Sequence, residues 1–351
     1  MREYRCDILV IGAGPAGSSA ALNAAQTGAK VLLIDRKPVI GEPVRCAEFI
    51  PKQLLGELEC GKEFIVQPVR NMKSILPGNN IIETPSPGFI IERNIFDRAL
   101  AEKALETGVD IWTETRALAI DGKNVHVLKN RERITLRAEV IIGADGPHTR
   151  VGKWMDSPNR DLISAVQVRV ALTRSMDCTE VYFHRRYYGG YAWLFPKGSM
   201  ANAGLGIRCK KGKDELRKHL DCLLNELKRL GRIEGEITGF TAGWIPAESP
   251  KKIVRDNVML VGDAAGQTHP ITGAGVSQAV ICGRMAGKWA AESVKKDDPR
   301  LLEEYEKEWT DLYGESQARA MKRRRFMENN WDDLDKTIRK CWVAFREYYR
   351  E

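Results

Sequence analysis

Paired cysteines, long apolar runs and internal repeats are absent from this sequence of 351 residues. Its eight cysteines are scattered without a CxxC pair, which argues against zinc ribbons, cysteine-ligated iron–sulfur clusters and a disulfide framework, and favours a reducing compartment. The uncharged stretch from 8 to 29 contains four glycines and a proline, too many for a membrane span or a signal peptide. We therefore expect a cytoplasmic protein with no metal site, whose membrane contact is peripheral and at the inner face.

The composition is that of an ordinary globular protein, with 43% apolar and 29% charged residues. Lysine and arginine number 55 against 47 acidic residues, which gives a net charge of +8. Such an excess favours anionic partners. Because no basic run is interleaved with aromatic residues, we expect no nucleic-acid binding.

The spacing of apolar residues predicts an α/β protein with an insertion. Residues 6–34 read as strand, Ala-rich helix and strand, the βαβ unit that opens a parallel sheet. Residues 40–90, with six prolines, are predicted to be loop-rich, and a helix is predicted over 94–107 with Asn94 as its N-cap. We expect a nucleotide-binding domain in two parts, 1–155 and 248–298. An antiparallel β substrate domain over 156–247 and a helical C-terminal region over 299–351 complete the prediction.

A glycine-rich motif joins the first predicted strand to the first helix. Gly12, Gly14 and Gly17 form a GxGxxG turn, in which the glycines permit the tight turn, backbone approach to a pyrophosphate and close helix packing. Asp35 follows the second strand, 18 residues after the last of these glycines, where an acid accepts hydrogen bonds from ribose hydroxyls. The context predicts a dinucleotide site.

Two further turn motifs follow strands far downstream. One contains Asp145, and the other contains Gly262 and Asp263 and leads into a Pro-x-x-Gly-Ala-Gly run at 270–275. Each alone is typical of a strand-end turn. Together they resemble the FAD-dependent hydroxylases and reductases, with a glutathione-reductase-like FAD domain and an inserted sheet like that of p-hydroxybenzoate hydroxylase. The resemblance implies FAD, with the helix start facing the flavin N1/O2 edge, where reduced flavin is negative.

Three elements narrow the resemblance to the geranylgeranyl reductase family. They are IGEPVRCAEFI at 40–50, FIIERNIFD at 89–97, and YAWLFP at 191–196 with Gly204 and Gly206 following. They are similar to the family's flavin loop, its cofactor-contacting arginine and its substrate-cavity element, and the likeness covers residues 1–300. Ala47 and Phe49 replace glycines of the family loop, and the phenyl ring takes up space beside the flavin.

The resemblance and the residue chemistry imply three sets of site residues. The catalytic set is Cys46, Tyr191 and Trp193. The cofactor-binding set is Gly12, Gly14, Ala16, Gly17, Asp35, Arg36, Arg45, Cys46, Ala47, Arg93, Ala117, Asp145, Gly262, Asp263, Pro270, Gly273, Ala274 and Gly275. The substrate-binding set is Phe49, Tyr191, Trp193, Phe195, Pro196, Gly204 and Gly206.

Some of these residues have a plainer interpretation. Tyr191, Trp193 and Phe195 share one face of a strand, which suits a wall for a long apolar ligand and equally suits an ordinary core. Cys46 follows Arg45 in a polar loop, which favours a functional thiol, yet free cysteine often behaves as a small buried apolar residue.

Basic residues gather at 184–186, 208–213 and 322–325. Solvated surface is the ordinary interpretation of such runs. The first two flank the aromatic strand and could meet a lipid phosphate. The third, near Trp309, Phe326 and Trp331, could rest on an anionic membrane surface.

The sequence predicts a reductase that saturates C=C bonds of isoprenoid chains, geranylgeranyl groups on a lipid or a diphosphate. Since there is one nucleotide motif, electrons would come from transiently bound NADPH or from a small redox protein. An FAD-dependent monooxygenase of an apolar or aromatic substrate is the main alternative. A quinone-linked dehydrogenase and a flavin-binding sensor without turnover are the others.

Overall fold

The computed structural model describes residues 3–209 and 213–350. Within them, two eight-stranded sheets and seven α-helices form the fold. The strands of the first sheet are β1 Glu3–Ile11, β2 Val31–Ile34, β6 Asp110–Trp112, β7 Thr115–Asp121, β8 Asn124–Lys129, β9 Glu132–Gly143, β15 Val254–Arg255 and β16 Val258–Leu260. Those of the second are β3 Phe49–Pro51, β4 Ile65–Ile75, β5 Ile81–Ile91, β10 Leu162–Leu172, β11 Cys178–Tyr182, β12 Tyr191–Lys197, β13 Met200–Ile207 and β14 Ile233–Pro246. The helices are α1 Pro15–Ala25, α2 Arg93–Glu106, α3 Arg150–Trp154, α4 Lys213–Arg229, α5 Val276–Lys296, α6 Glu303–Asn329 and α7 Leu334–Cys341.

The first sheet confirms the predicted α/β nucleotide-binding architecture. Its order β16–β9–β1–β2–β6 is parallel throughout, and β1, α1 and β2 form the expected βαβ unit. Strand β2 and the second half of β1, residues 8–11, are buried on both faces and are therefore continuously apolar. Helix α5 packs on α1 at close range, because a side chain at Gly283 or Gly287 would collide with the α1 backbone. The glycine-rich turn is thus held between two helices and the sheet.

The second sheet is antiparallel apart from the parallel pair β4–β11, and it contains more of the chain than expected. Residues 40–90 were predicted to be loop-rich, and this prediction was wrong, because β3, β4 and β5 lie there. Pro68 lies in a part of β4 that pairs only with β5, and Pro85 and Pro87 lie in a part of β5 that pairs only with β4. A strand with one free edge tolerates proline, because no ladder donor is lost there.

Helix α2 begins at Arg93 with Glu92 before it, so Asn94 is a helical residue and the predicted N-cap was misplaced. The C-terminal region, residues 299–350, is called the tail, and it packs on the second sheet. Trp331, Ile338 and Trp342 share an apolar cluster with Trp193 and Phe195. The tail therefore forms one wall of the space between the two sheets.

Within residues 3–209 and 213–350, every helix is too short or too polar to span a membrane.

Candidate functional site

A cavity of about 920 Å³ runs between the two sheets. The glycine-rich turn and the end of β2 line one end, and β12, β14 and the tail line the other. Among the residues that the structure describes, no three His, Cys, Asp or Glu side chains gather into a metal-binding group. The cavity joins the glycine-rich turn to β12 in one continuous cleft, which has room for a nucleotide and an apolar ligand.

The three glycines of the turn have different surroundings. A Cβ at Gly12, whose φ is +110°, would lie 2.3 Å from the Ala144 carbonyl oxygen, and one at Gly17 would lie 1.8 Å from the Gly12 carbonyl oxygen. Around Gly14 nothing lies within 4 Å of that position, which opens into the cavity. Gly14 is also the N-cap of α1, whose N–H groups and dipole favour an anion. This cradle fits the pyrophosphate of FAD.

Asp35 lies at the edge of the cradle. Its carboxylate accepts hydrogen bonds from the backbone N–H groups of Ala13 and Lys37, each at 2.8 Å, which fixes the glycine turn. Arg36, Arg116 and Arg150 line the same end of the cavity and make it cationic. The ribose contact of Asp35 stays a prediction, as does the contact of Arg36.

Asp145 has a structural task that the sequence did not reveal. It accepts hydrogen bonds from the Thr149 hydroxyl at 2.5 Å and from the Arg150 N–H at 2.6 Å, at the start of α3. Burial raises its pKa. Ala117 lines the cavity, and its carbonyl accepts from the Arg150 guanidinium at 3.1 Å. Asp145 also lines the cavity, so its cofactor contact stays a prediction.

The start of α5 faces the cavity, as the motif predicts. Gly273, Ala274 and Gly275 line it together with Asp263, whose pKa burial raises to about 6 despite the nearby Arg93. Of the described residues predicted to bind the cofactor, Gly17, Gly262 and Pro270 lie outside the lining. A Cβ at Gly262 would lie 2.8 Å from that of Ala16, so the glycine allows close packing behind the cradle.

The loop that carries Cys46 is tied to the second sheet. Gln167 donates to the Cys46 carbonyl at 2.7 Å, Asn202 to the Ala47 carbonyl at 3.3 Å, and Thr241 to the Val44 carbonyl at 2.8 Å. These bonds hold the loop against the cavity, which both Cys46 and Ala47 line.

The cation that faces Cys46 is Arg93, which the sequence does not place beside it. The Cys46 sulfur accepts from the Glu48 N–H at 3.2 Å and faces the Arg93 guanidinium. Burial alone would lower the pKa of Arg93, but Asp97, paired through two hydrogen bonds of 2.9 and 3.1 Å, and Cys46 raise it. The neighbour Arg45 is exposed and lies beside Gly243.

Tyr191, Trp193 and Phe195 all face the cavity. The Trp193 N–H donates to the Gln167 side chain at 3.2 Å, and the Tyr191 hydroxyl donates to the Thr272 carbonyl at 2.6 Å. Burial raises the pKa of Tyr191, so the phenol is neutral. Their polar atoms are thus bonded within the protein, which leaves aromatic surface for an apolar ligand. Phe49 also lines the cavity, with its ring 6.3 Å from that of Phe195.

Three described residues predicted to bind substrate lie outside the cavity lining: Pro196, Gly204 and Gly206. Gly204 pairs with Trp193 and Gly206 with Tyr191 across β12 and β13. A Cβ at Gly204 would lie 2.7 Å from the Trp193 ring. The two glycines of β13 therefore leave space for the aromatic side chains of Tyr191, Trp193 and Phe195 on β12, which together form the aromatic wall of the cavity.

Sequence reasoning missed the contribution of the tail. Trp342, Val343, Tyr348 and Arg319 line the cavity, and the Trp342 ring lies 5.1 Å from that of Tyr191. The concentration of aromatic residues over 342–349 was the available signal.

His269 was also missed. Its Nδ1 accepts from the N–H groups of Ile271 and Thr272, and burial lowers its pKa to about 4. It lines the cavity as a neutral imidazole at neutral pH.

The basic clusters have mostly structural partners. Arg208 pairs with Asp161 at 2.6 Å and with Glu328 at 3.0 Å, and residues 210–212 of that cluster lie outside the described residues. Arg324 is 2% exposed and donates to the carbonyls of Pro270 and Gly189. Trp309 and Trp331 are buried, and the Arg185 carbonyl accepts from the Trp331 N–H. The expectation of a membrane-facing basic helix is thus wrong for Arg324. Lys322 and Arg325 are exposed, and Arg323 is half-buried.

Comparison with known proteins gives consistent results. An FAD binding domain model matches residues 79–314, and an FAD dependent oxidoreductase model matches residues 7–147. The chain is 34% identical to digeranylgeranylglycerophospholipid reductase 1 of Methanococcoides burtonii, over 94% of this chain and 86% of that protein.

Solved structures agree with this match. A geranylgeranyl bacteriochlorophyll reductase-like protein from Thermoplasma acidophilum superposes with a TM-score of 0.88 and 30% identity, over 95% of this chain and 90% of that one. A probable FAD-dependent monooxygenase from Pseudomonas aeruginosa gives a TM-score of 0.70 at 17% identity, over 95% and 98% of the two chains. At that identity the second likeness shows the fold alone.

Proposed function

Because this chain belongs to the geranylgeranyl reductase family and is an FAD-dependent oxidoreductase, we propose that it saturates C=C bonds of geranylgeranyl chains on a lipid or a diphosphate. The observation that carries this proposal is the position of the aromatic wall. Tyr191, Trp193 and Phe195 line the same cavity as the nucleotide cradle, so an apolar chain and a flavin can share one cleft. The net charge of +8 favours a substrate with an anionic head group.

The aromatic wall suits the electronic demand of the reaction. An isolated trisubstituted alkene has no carbonyl to absorb charge, so proton transfer must accompany or precede hydride transfer, and positive charge develops at the tertiary carbon. When bound, reduced FAD supplies the hydride. Neutral aromatic faces such as those of Trp193 and Tyr191 stabilise such a cation by roughly 0.5–2 kcal/mol each when water is excluded.

Cys46 is the proposed proton donor or relay. Each double bond takes up one hydride and one proton, and Cys46 lines the same cavity as Phe49 and the aromatic strand. Its contacts with the Glu48 N–H and with Arg93 hold the sulfur in place. The proton moves together with the hydride or with help from water.

The electron donor and the membrane contact are also proposals. The single glycine-rich nucleotide motif supports NADPH that docks transiently, or a small redox protein, as the donor. The basic excess supports peripheral contact with an anionic membrane surface. Flotation with anionic and with neutral vesicles tests the second proposal, and equal binding to both would contradict it.

Mass spectrometry tests the reaction directly. Dithionite-reduced protein is incubated without oxygen with geranylgeranyl-bearing lipid, and the product is expected to gain two hydrogens per double bond. Flavin-free protein serves as the control and should give no product. A monooxygenase would instead need oxygen and incorporate it, so the absence of anaerobic product, with an oxygenated product in air, would overturn the proposal.

A further inference from the structure

A buried ionic cluster lies directly beneath the Cys46 loop. Glu48 lines the cavity, is 1% exposed and has a φ of +70°, and its carboxylate is buried against the second sheet. Its carboxylate meets the Lys197 ammonium of β12, which is 3% exposed and also binds Glu92 at 2.7 Å. None of these three residues belongs to the catalytic or cofactor-binding sets predicted above.

The Glu48 carboxylate joins three parts of the fold. One oxygen accepts from the Arg93 N–H at 3.0 Å, at the start of α2. The other accepts from Asn202 of β13 at 2.9 Å and from Lys197. Arg169 of β10 approaches the same oxygen at 3.4 Å. One side chain thus links the second sheet to the helix that carries Arg93.

The same residue is bonded to Cys46 through its backbone. The Glu48 N–H donates to the Cys46 sulfur, which also interacts with the Arg93 guanidinium. The distance between the thiol and the guanidinium therefore depends on where Glu48 is anchored. Asn202, which also donates to the Ala47 carbonyl, strengthens that anchor.

Stability alone is a weak reason for such a cluster. Removing two charges from water costs about as much as their attraction returns, and neutral replacements of similar volume are often as stable. Buried ionic groups are best attested where they specify one arrangement over others. The arrangement at stake in this cluster is the position of the Cys46 loop against the second sheet.

We propose that Glu48 and Lys197 are positioning residues that hold the Cys46 thiol in register with Arg93 on the cavity wall. This inference rests on the functional role proposed for Cys46, but its geometry can be tested without any substrate.

The test is alkylation of the flavin-loaded protein, with labelling at each cysteine resolved by peptide mass spectrometry. Cys222, which is exposed, is the internal reference. In Lys197→Met and in Glu48→Gln, iodoacetamide labelling of Cys46 relative to Cys222 should rise at least fivefold, because the Cys46 loop moves away from the second sheet. The preference of Cys46 for anionic iodoacetate over iodoacetamide should fall at least threefold, because Arg93 no longer adjoins the sulfur.

Lys73→Met is the matched control. Lys73 lies in β4 of the same sheet, and its ammonium is 4.0 Å from the half-exposed Glu83. Both labelling ratios should stay within twofold of those of the wild type. If bound flavin shields Cys46 in the wild type, labelling should appear in the two cluster variants alone.

Two outcomes would overturn the proposal. The first is unchanged Cys46 labelling in folded Lys197→Met. The second applies if the single variants fail to fold: the neutral pair Glu48→Gln with Lys197→Met should fold, and unchanged labelling in it contradicts the positioning role. If labelling rises in the two cluster variants but the wild-type protein reduces no isoprenoid, the positioning role is supported and the proposed function is contradicted, so the two failures are distinct.

Discussion

Gly14 and Gly17 lie three residues apart in the same turn, and a side chain would meet opposite surroundings at the two positions. Gly14→Val should fold with near wild-type stability, because no atom lies within 4 Å of its Cβ position, yet it should lose FAD, because the side chain enters the pyrophosphate cradle. Gly17→Val should instead unfold at lower denaturant, since its Cβ meets the Gly12 carbonyl oxygen. Flavin absorbance per protein and urea denaturation distinguish the two, and full flavin content in Gly14→Val would show that the cradle is misassigned.

Cys46 gives a second prediction for single residues. Cys46→Ser should keep FAD and substrate binding, because serine fits the same half-buried position, but it should slow reoxidation of the reduced flavin by the alkene roughly tenfold or more, as expected when an acid is lost. Anaerobic stopped-flow absorbance measures this step. An unchanged rate would make Cys46 a packing residue of the loop.

Two buried groups should give stability opposite dependences on pH. His269 is neutral in the fold with a pKa of about 4, so between about pH 6.5 and 4 the unfolded chain binds more protons, and acid destabilises the fold. Asp263 has a pKa raised to about 6, so it stabilises the fold in acid and loses that contribution as the pH rises from about 4 to 6.

Denaturation of the flavin-free protein at pH 7.5 and 4.5 measures both effects. Relative to His269→Gln, the wild type should lose roughly 2 kcal/mol of unfolding free energy on acidification. Relative to Asp263→Asn, it should gain roughly 2 kcal/mol. Differences of the same sign for both variants would contradict the assignment.

At the scale of elements, strand β13 determines where the aromatic wall of β12 lies. In Gly204→Ala the new Cβ would lie 2.5 Å from the Val166 carbonyl oxygen and 2.7 Å from the Trp193 ring, so about 1–3 kcal/mol of stability should be lost and the ring displaced. In Gly206→Ala the nearest atom is 3.2 Å away, and the cost should be below about 1 kcal/mol. Urea denaturation and tryptophan fluorescence report the two effects, and equal costs would argue against this packing.

At the scale of the whole molecule, Arg324 joins the tail to both sheets' loops. Its guanidinium bonds the Pro270 and Gly189 carbonyls and pairs with Glu328 at 2.8 Å. Arg324→Met should cost roughly 2 kcal/mol, moderated because Glu328 keeps Arg208 as a partner. The exposed neighbour Arg325→Met is the control and should stay within about 0.5 kcal/mol of the wild type by guanidinium denaturation. Equal effects would show that the tail is not anchored there.

What the sequence by itself determined was the local part of this protein. The βαβ unit, the spacing of Gly12, Gly14 and Gly17, and the shared face of Tyr191, Trp193 and Phe195 follow from backbone sterics and strand periodicity, which act over a few residues. The resemblance carried by the 40–50 loop identified the family for the same reason, because motifs are local.

Only the tertiary structure decided which distant groups meet. It placed Arg93 at Cys46, where the sequence suggested Arg45, and it paired Glu48 with Lys197. It also buried Arg324, which belongs to a basic run that was expected at the surface, and it brought Trp342 to the cavity. The prolines in residues 40–90 indicated loops where the structure has β4 and β5. Proline is tolerated there because one edge of the strand is free, so no ladder bond is lost, and only the tertiary pairing decides which edge is free. Burial and pairing depend on neighbours far away in the chain, and neither local propensity nor spacing encodes those neighbours.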